Sequence, residues 1–285
     1  MVDQVTGNTE LGATKMDLIA TAVQRELAFR AKMVPTITDV SQFAEAGLKT
    51  IEFPKLGSFT VQKRVEGQRG DASVIVSSTD VMALDQNAYV AWIIDATSRI
   101  QSRIDAKVMN ARRAASAHAR QVDLDIIAEL ESIAGLNVYG ATPTDVTRDN
   151  ILDMREFVLE NDALEEDLMW CISVDQEKAL LKISEFSRND VYGSPVIQTG
   201  VIGTLYGIPV MRHNGIKSGQ VLLHEKSAVA IGFQKSPTYD EEKATEYGAG
   251  AMREVLDQLY GVKGCQLGEK GLLASESPLV AKLID

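Results

Sequence analysis

The clearest hydrophobic pattern in the chain is a single stripe of apolar residues in its first half. The stripe consists of Ile100, Ile104, Val108, Ala111, Ala115, Ala119, Val122, Ile126, Leu130 and Ile133. The mean spacing is about 3.7 residues, which is close to the period of an α-helix. Neither proline nor glycine occurs in 86–134, and Gly135 is a typical stop. The pattern therefore predicts one helix about 50 Å long, with an alanine-rich middle that other backbone can approach closely.

The region before this helix alternates between apolar and polar residues instead. Ile51 and Phe53 are followed by Phe59 and Val61, and a second extended run begins at Val74. A charged, glycine-containing segment, KRVEGQRGD, lies between the two runs. This arrangement predicts a long β-hairpin with a polar tip. Because isolated hairpins are marginal in water, it is expected to lie on its own subunit or on a neighbour.

Shorter patterns predict the remaining elements. Helices are expected over 17–33 (ending before Pro35), in part of 36–47, and over 148–161 and 175–183. Strands are expected over 168–174, 201–211, 220–224 and 228–233, with a charged helix-like stretch at 239–247 and an extended region over 248–273. Glycines punctuate the strands after residue 193 and indicate tight turns. The predicted fold class is α+β.

Charge is distributed unevenly. The chain has 29 Lys and Arg against 40 Asp and Glu, a formal net charge of −11. This balance argues against a protein whose whole surface binds nucleic acid or anionic lipid. Residues 99–120 are nevertheless basic, with six cations against Asp105, and 123–131 are acidic. The candidate basic face consists of Arg99, Arg103, Lys107, Arg112 and Arg113. It is either an ordinary solvated helix face or a stripe that faces a polyanion or an acidic partner.

Motifs for catalysis or metal binding are not found in the sequence. The three histidines have no metal-ligand spacing, and neither a GxSxG elbow nor a phosphate-binding loop occurs. The two cysteines indicate reduced thiols rather than a disulfide framework. No apolar run is long enough to cross a bilayer, and the N-terminus does not match a signal peptide. The sequence predicts no enzyme activity, no cofactor, no metal and no membrane contact.

The order of these elements resembles the major capsid proteins of tailed bacteriophages, which have the Hong Kong 97-like fold. Three stretches carry the likeness over roughly 45–270. They are LDQNAYVAWIIDATSRIQSRID (84–105) continuing to RQVDLDIIAEL (120–130), GVIGTLYGIPVMRHNGIKSGQVLLHEKSAVAIGFQKSP (200–237), and LYGVKGCQL (259–267).

The resemblance implies a division of the chain into four parts. These are an N-terminal arm (1–47), an extended E-loop (48–83), a P-domain with the long helix as its spine (84–150 and 236–285), and an A-domain (151–235). It also implies two contact sites, an E-loop interface at Lys63, Arg64, Glu66, Arg69 and Asp71, and an axial A-domain loop at Arg188, Asn189, Asp190 and Tyr192.

The implied function is structural. The chain would self-assemble as pentamers and hexamers into an icosahedral head that encloses double-stranded DNA without reading its sequence. Expected partners are a portal and a separate scaffolding protein, with assembly in the host cytoplasm and a final location in the virion. Two alternatives remain at this point: the shell of a cellular nanocompartment with the same fold, and a small α/β enzyme or binding module centred on 165–235.

Overall fold

The structure is a computed structural model, and it describes part of the chain. The described residues are Thr21, Val23, 31–56, Lys63, 77–95, 106–133, 138–139, 147–160, 163–180, 201–248, 250–264 and 280–283. The chain divides into two compact units. The first unit comprises 1–31, 84–123 and 233–261, and the second unit comprises 32–83, 124–232 and 262–285. Each unit is described by itself below.

A long helix and a sheet form the first unit. The helix is α1 (Ala106–Ile133), whose initial part lies in this unit, and the sheet strands are β4 (Gln86–Ile94), β10 (Ala230–Lys243) and β11 (Met252–Lys263). Strand β11 pairs antiparallel with β4, from Met252 opposite Ile94 to Tyr260 opposite Gln86. Ala111, Ala114 and Ala115 pack against Leu256 in the core. Because alanine side chains are short, the helix axis can lie close to the sheet.

The predicted long helix is confirmed from Ala106 to Ile133, about 42 Å at 1.5 Å per residue. Within it the apolar stripe is the buried face, since Ala115, Ala119 and Val122 are fully buried. Ile100 and Ile104 lie outside the described residues. Of the predicted helix over 17–33, Thr21 and Val23 are helical, whereas 31–33 are not.

The second unit contains a six-stranded mixed sheet. Its strands are β5 (Val138–Tyr139), β6 (Leu168–Ile172), β7 (Val201–Leu205), β8 (Ile208–Arg212), β9 (Val221–Glu225) and β12 (Val280–Leu283). They are arranged in the order β5-β12-β9-β6-β8-β7. Two helices accompany the sheet, α2 (Arg148–Glu160) and α3 (Val174–Leu180). Helix α2 matches the predicted helix over 148–161, and α3 confirms the predicted helix over 175–183 as far as Leu180, since 181–183 lie outside the described residues. Every residue of β9 is buried, as expected of a strand covered on both faces.

The turn between β7 and β8 explains one of the glycines. Tyr206 and Gly207 are its two central residues, with φ of 52° and 85°. Two positive φ values define the type I′ turn, whose twist matches that of antiparallel strands. Glycine adopts this conformation without steric cost, so Gly207 fixes the register of the β7–β8 hairpin.

The predicted long hairpin is confirmed at its base, in the second unit. Strand β2 (Thr50–Leu56) pairs antiparallel with β3 (Ser77–Ala83), from Thr50 opposite Ala83 to Leu56 opposite Ser77. The segment between the strands lies outside the described residues except for Lys63, which is exposed. A short strand of the same unit, β1 (Thr38–Asp39), pairs in parallel with Ala230 and Ile231, the first residues of β10.

The prediction of a helix-like stretch at 239–247 is wrong over most of its length. Tyr239–Lys243 is the end of β10, and a single 3-10 turn follows at Thr245–Tyr247. The reason is tertiary pairing: Tyr239 contacts the Trp92 ring and Glu241 pairs with Lys107, while Asp240 is exposed. These contacts alternate along the chain, as in a strand, and they outweigh the local preference of a charged segment.

Candidate functional site

The base of the hairpin is anchored to its own subunit. One face of the hairpin buries Ile51, Phe53 and Met82, which are 9% exposed or less. Gly232 lies beneath this face, and a Cβ atom there would be 2.9 Å from Met82 Cε and 3.1 Å from Ile51 Cδ1. Lys263 Nζ also donates a 2.6 Å hydrogen bond to the carbonyl oxygen of Val81. The apolar contacts and this hydrogen bond hold the hairpin base against its own subunit.

An open apolar groove lies beside this base. Its volume is about 470 Å³, and it is lined by Phe43, Leu48, Thr50, Ile51, Glu52 and Phe53. Phe43 is 56% exposed and Leu48 is 46% exposed. Large apolar side chains that cluster at this exposure are typical of protein contact surfaces. Sequence analysis did not identify this groove, because Phe43 and Leu48 belong to no periodic pattern.

The structure separates the residues of the predicted basic helix face. Lys107 Nζ lies 2.5 Å from Glu241 Oε2 in a partly buried ion pair. Arg112 and Arg113 are exposed instead, and so is Arg120, about two turns further along. Arg99 and Arg103 lie outside the described residues. The exposed basic surface of α1 within the described part is therefore formed by arginines 112, 113 and 120.

A buried carboxyl group lies on the sheet of the first unit. Glu254 is fully buried on β11, directly opposite Trp92 on β4. Burial raises the pKa of the Glu254 carboxyl group, although its interactions with Tyr239, Trp92 and Lys107 act in the opposite direction. A buried carboxyl group of this kind favours its neutral form. No sequence pattern singled out Glu254, since an acidic residue on an alternating strand is normally on the solvent side.

His118 adds a second buried polar group to the same unit. Its Nε2 lies 3.2 Å from the carbonyl oxygen of Leu256, so the ring donates a hydrogen bond to β11. Burial lowers the pKa of His118, and this effect exceeds the opposing effects of Leu256 and Asp257. His118 thus ties α1 to the sheet as a neutral side chain.

A chain of polar groups crosses the core of the second unit. The Thr36 hydroxyl donates to the carbonyl oxygen of Met33 at 2.7 Å, and it accepts from His224 Nε2 at 3.3 Å. His224 Nδ1 then accepts from the Cys171 thiol, 3.9 Å away. Burial lowers the pKa of His224 to about 4. Cys171 and His224 are both 0% exposed, so this pair fastens the segment before β1 to the sheet and is closed to a substrate.

The remaining predicted contact residues are not placed by the structure. Arg64, Glu66, Arg69 and Asp71 of the hairpin tip, and Arg188, Asn189, Asp190 and Tyr192 of the axial loop, lie outside the described residues. In the part of the chain that is described, no group of three or more His, Cys, Asp or Glu side chains could hold a metal ion. No helix within that part is long and apolar enough to span a membrane.

Solved structures with the same architecture come from bacteriophages and from a virus-like particle. The chain is similar to a structure from Mycobacterium phage Che8, with 17% identity, a TM-score of 0.66, and 87% of this chain and 89% of that chain covered. It is also similar to the mature capsid of bacteriophage PhiM1, with 13% identity, a TM-score of 0.60, and coverage of 90% and 86%. A virus-like particle from Pyrococcus furiosus has 11% identity, a TM-score of 0.61, and coverage of 94% and 99%. These likenesses confirm the Hong Kong 97-like fold.

A family model described as phage capsid protein matches residues 39–251, and the chain belongs to this family. No protein with a curated description matches it. The chain is a structural, major capsid protein of the virion, and it assembles into a multimeric shell. The family match does not favour the enzyme or nanocompartment alternatives.

Proposed function

We propose that this chain forms the pentamers and hexamers of an icosahedral phage head that encloses double-stranded DNA, without catalytic activity. The observation that carries the proposal is the hairpin of β2 and β3, which is fixed to its own subunit at the base. A shell protein must bury surface between copies, and a projecting arm adds interface area without enlarging the subunit core. Contacts repeated around a closed shell add up, so each can be weak.

The proposed parts of the chain follow the capsid resemblance. Residues 1–47 act as the N-terminal arm and 48–83 as the E-loop. Residues 84–150 with 236–285 act as the P-domain, and 151–235 as the A-domain. In this assignment the charged tip, Lys63 to Asp71, contacts a neighbouring subunit, and the loop with Arg188, Asn189, Asp190 and Tyr192 lies at the five- and six-fold axes.

The groove at the hairpin base supports a contact between copies of this chain. Phe43 and Leu48 expose apolar surface beside strands that the subunit itself holds in place. Covering this surface with a second copy would release water from apolar groups, which favours association. Exchange of both residues for serine should leave the subunit folded and slow its assembly, as light scattering against time would measure.

Further partners follow from the same proposal. A portal and a separate scaffolding protein are expected, as the resemblance to tailed-phage capsid proteins implies, and assembly takes place in the host cytoplasm. The net charge of −11 supports a wall to which packaged DNA does not adhere everywhere. If the chain expressed alone gives uniform closed shells of one size, a separate scaffolding protein is not needed.

Deletion of 60–75 tests the proposed role of the hairpin directly. The deletion leaves β2 and β3 intact, with four residues to connect Leu56 and Ser77, so a short turn can close the strands. We expect a folded subunit, with unchanged circular dichroism, that no longer forms shells in negative-stain electron micrographs. The matched control replaces the same segment with glycine and serine of equal length. Normal shells from the deletion variant would contradict the proposed role.

A further inference from the structure

The first half of helix α1 (Ala106–Ile133) is basic and lacks any acidic residue. Between Ala106 and Gln121 the sequence contains Lys107, Arg112, Arg113 and Arg120 but neither Asp nor Glu. This is unusual in a chain whose net charge is −11. The excess positive charge is therefore concentrated on one short stretch of helix.

In the described part of the chain, three of these four cations are exposed and the fourth is paired. Lys107 is neutralised by Glu241, with 2.5 Å between Nζ and Oε2. Arg112, Arg113 and Arg120 are exposed. Within the described part of the chain, none of the three forms an ion pair or a hydrogen bond. At about 100° per residue they fall within an arc of about 100°, with a rise of about 10 Å from Arg113 to Arg120.

The surface between these arginines is low and has little apolar character. Ser116 and Ala117 lie between Arg113 and Arg120, and both have short side chains. Met109, 44% exposed, is the one exposed large hydrophobic residue that the described part of α1 contains. Protein interfaces usually have an apolar, often aromatic, centre. Met109 lies one turn before Arg112 and Arg113, at the edge of this face rather than at its centre. An arginine surface without an apolar centre suits a rod of phosphates better than an acidic protein segment.

We propose that the face formed by Arg112, Arg113 and Arg120 binds the phosphate backbone of the double-stranded DNA inside the shell, without reading its sequence. The inference rests on the proposed function, because that function places DNA in the shell. Guanidinium groups match phosphate oxygens with two parallel hydrogen bonds. Three contacts for each chain are weak alone, but the many copies in a shell add them up. The net charge of −11 opposes adhesion of DNA over the whole subunit surface.

DNA binding by the full-length chain tests the proposal. Unassembled subunits, separated from particles by size-exclusion chromatography, are titrated into a fluorescent 20-base-pair duplex at several salt concentrations. Neutralising three phosphates gives a log–log salt slope of about −2.7, or a loss of about 40-fold in affinity between 50 and 200 mM salt. The triple variant Arg112→Ala, Arg113→Ala and Arg120→Ala should lose most of this slope and bind at least tenfold more weakly at 50 mM.

Two further variants separate this face from net charge. Lys178, Lys226 and Lys243 are exposed elsewhere, and their joint exchange for alanine removes the same charge. We expect this control to keep the wild-type salt slope. Exchange of all three arginines for lysine keeps the charge and should retain most of the salt slope. This result would show that the loss of binding in the alanine variant comes from the missing charges on the helix face and not from unfolding.

The proposal would be overturned if the variant without the three arginines and the control without Lys178, Lys226 and Lys243 lost binding equally. It would also be overturned if neither of them lost binding. A polyglutamate peptide that competes as well as the duplex at equal charge would assign the face to an acidic protein segment and also overturn it. Shell formation is scored separately by electron microscopy. If the wild-type chain forms no shells even when it is produced with its proposed scaffolding partner, the proposed function fails, whereas the binding result still decides what this arginine face recognises.

Discussion

The cores of the two units are built in different ways. In the second unit, β9 is buried along its whole length, and Leu222 and Leu223 are fully buried. In the first unit, β11 alternates between buried and partly buried residues, and its buried positions include Glu254 and Gln258 beside Leu256. The facing residues of helix α1 are alanines. Within the described residues, the first unit therefore buries less apolar volume than the second, and polar side chains lie beside Leu256 among the buried positions of its strand β11.

This difference indicates how each unit is stabilised. Apolar burial contributes about 25 cal/mol for each Å², so the second unit can hold itself together through its leucine-rich strands. The first unit depends on close fit between alanines and the sheet, and on hydrogen bonds such as that from His118 to Leu256. The chain's two tryptophans, Trp92 and Trp170, lie in the first and second unit. Replacing either tryptophan leaves the remaining one as a fluorescence probe of the unit in which it lies.

The largest effect is expected from a cavity in the second unit. Leu223 is fully buried and lies opposite Trp170 on the neighbouring strand. Leu223→Ala should lower the free energy of unfolding by about 2–5 kcal/mol, since it removes apolar contacts and leaves a void. The free energy of unfolding is measured by urea denaturation in the Trp92→Phe background, with Trp170 fluorescence as the signal. Leu164→Ala, at a residue that is 62% exposed, is the control and should change stability by less than about 0.5 kcal/mol.

Acid should also destabilise the second unit through His224. Burial lowers its pKa from 6.5 to about 4, so the unfolded chain binds the proton more readily. The associated stability is present above pH 6.5 and is lost as the pH falls towards 4, by about 3 kcal/mol in total. His224→Gln should remove this loss. Burial also raises the pKa of the neighbouring Glu225, so pH affects the stability of both chains. The effect of His224 is therefore the difference in free energy of unfolding between wild type and variant. If this difference does not change with pH, the proposed effect of His224 is refuted.

Overfilling the helix–sheet contact should destabilise the first unit. Ala115 is fully buried against Leu256. Ala115→Leu adds a side chain where no space exists, and we expect a loss of about 1–3 kcal/mol. Trp92 emission in the Trp170→Phe background measures it. Ala117→Leu, on the exposed side of the same helix, is the matched control, and an equal loss there would mean that close packing is not what limits the first unit.

The smallest effect concerns Glu254. Because burial raises its pKa above 4.5, the wild type loses stability as the pH rises beyond that value, when the carboxyl group must ionise. Glu254→Gln should be the more stable chain at pH 7, by about 1 kcal/mol, and should match the wild type at low pH. Glu242→Gln, at an exposed ion pair with Arg253, should show no such pH dependence.

Elements with strong local periodicity could be predicted from the sequence. The stripe from Val108 to Ile133 specified the long helix, and the runs around residues 170, 205 and 222 specified strands of the second unit. The predictions that failed concern segments whose secondary structure is set by tertiary contacts. Tyr239–Lys243 is locally helix-like, but its alternate side chains meet Trp92 and Lys107.

The candidate surfaces were harder to predict than the fold. The basic character of α1 was visible from composition, but only the structure shows that Lys107 is neutralised and that Arg120 joins Arg112 and Arg113 on the exposed side. Glu254 and the groove at Phe43 leave no signal in a single sequence, because burial of one carboxyl group and exposure of one phenylalanine are set by partners distant along the chain.

The most direct test of the account is the size of the purified full-length chain, measured by light scattering and negative-stain electron microscopy. A capsid subunit should give closed shells, each far larger than one 285-residue chain, when it is produced with its proposed scaffolding partner or from intact virions. A chain that stays monomeric under these conditions, and that is absent from the particles, would contradict the account.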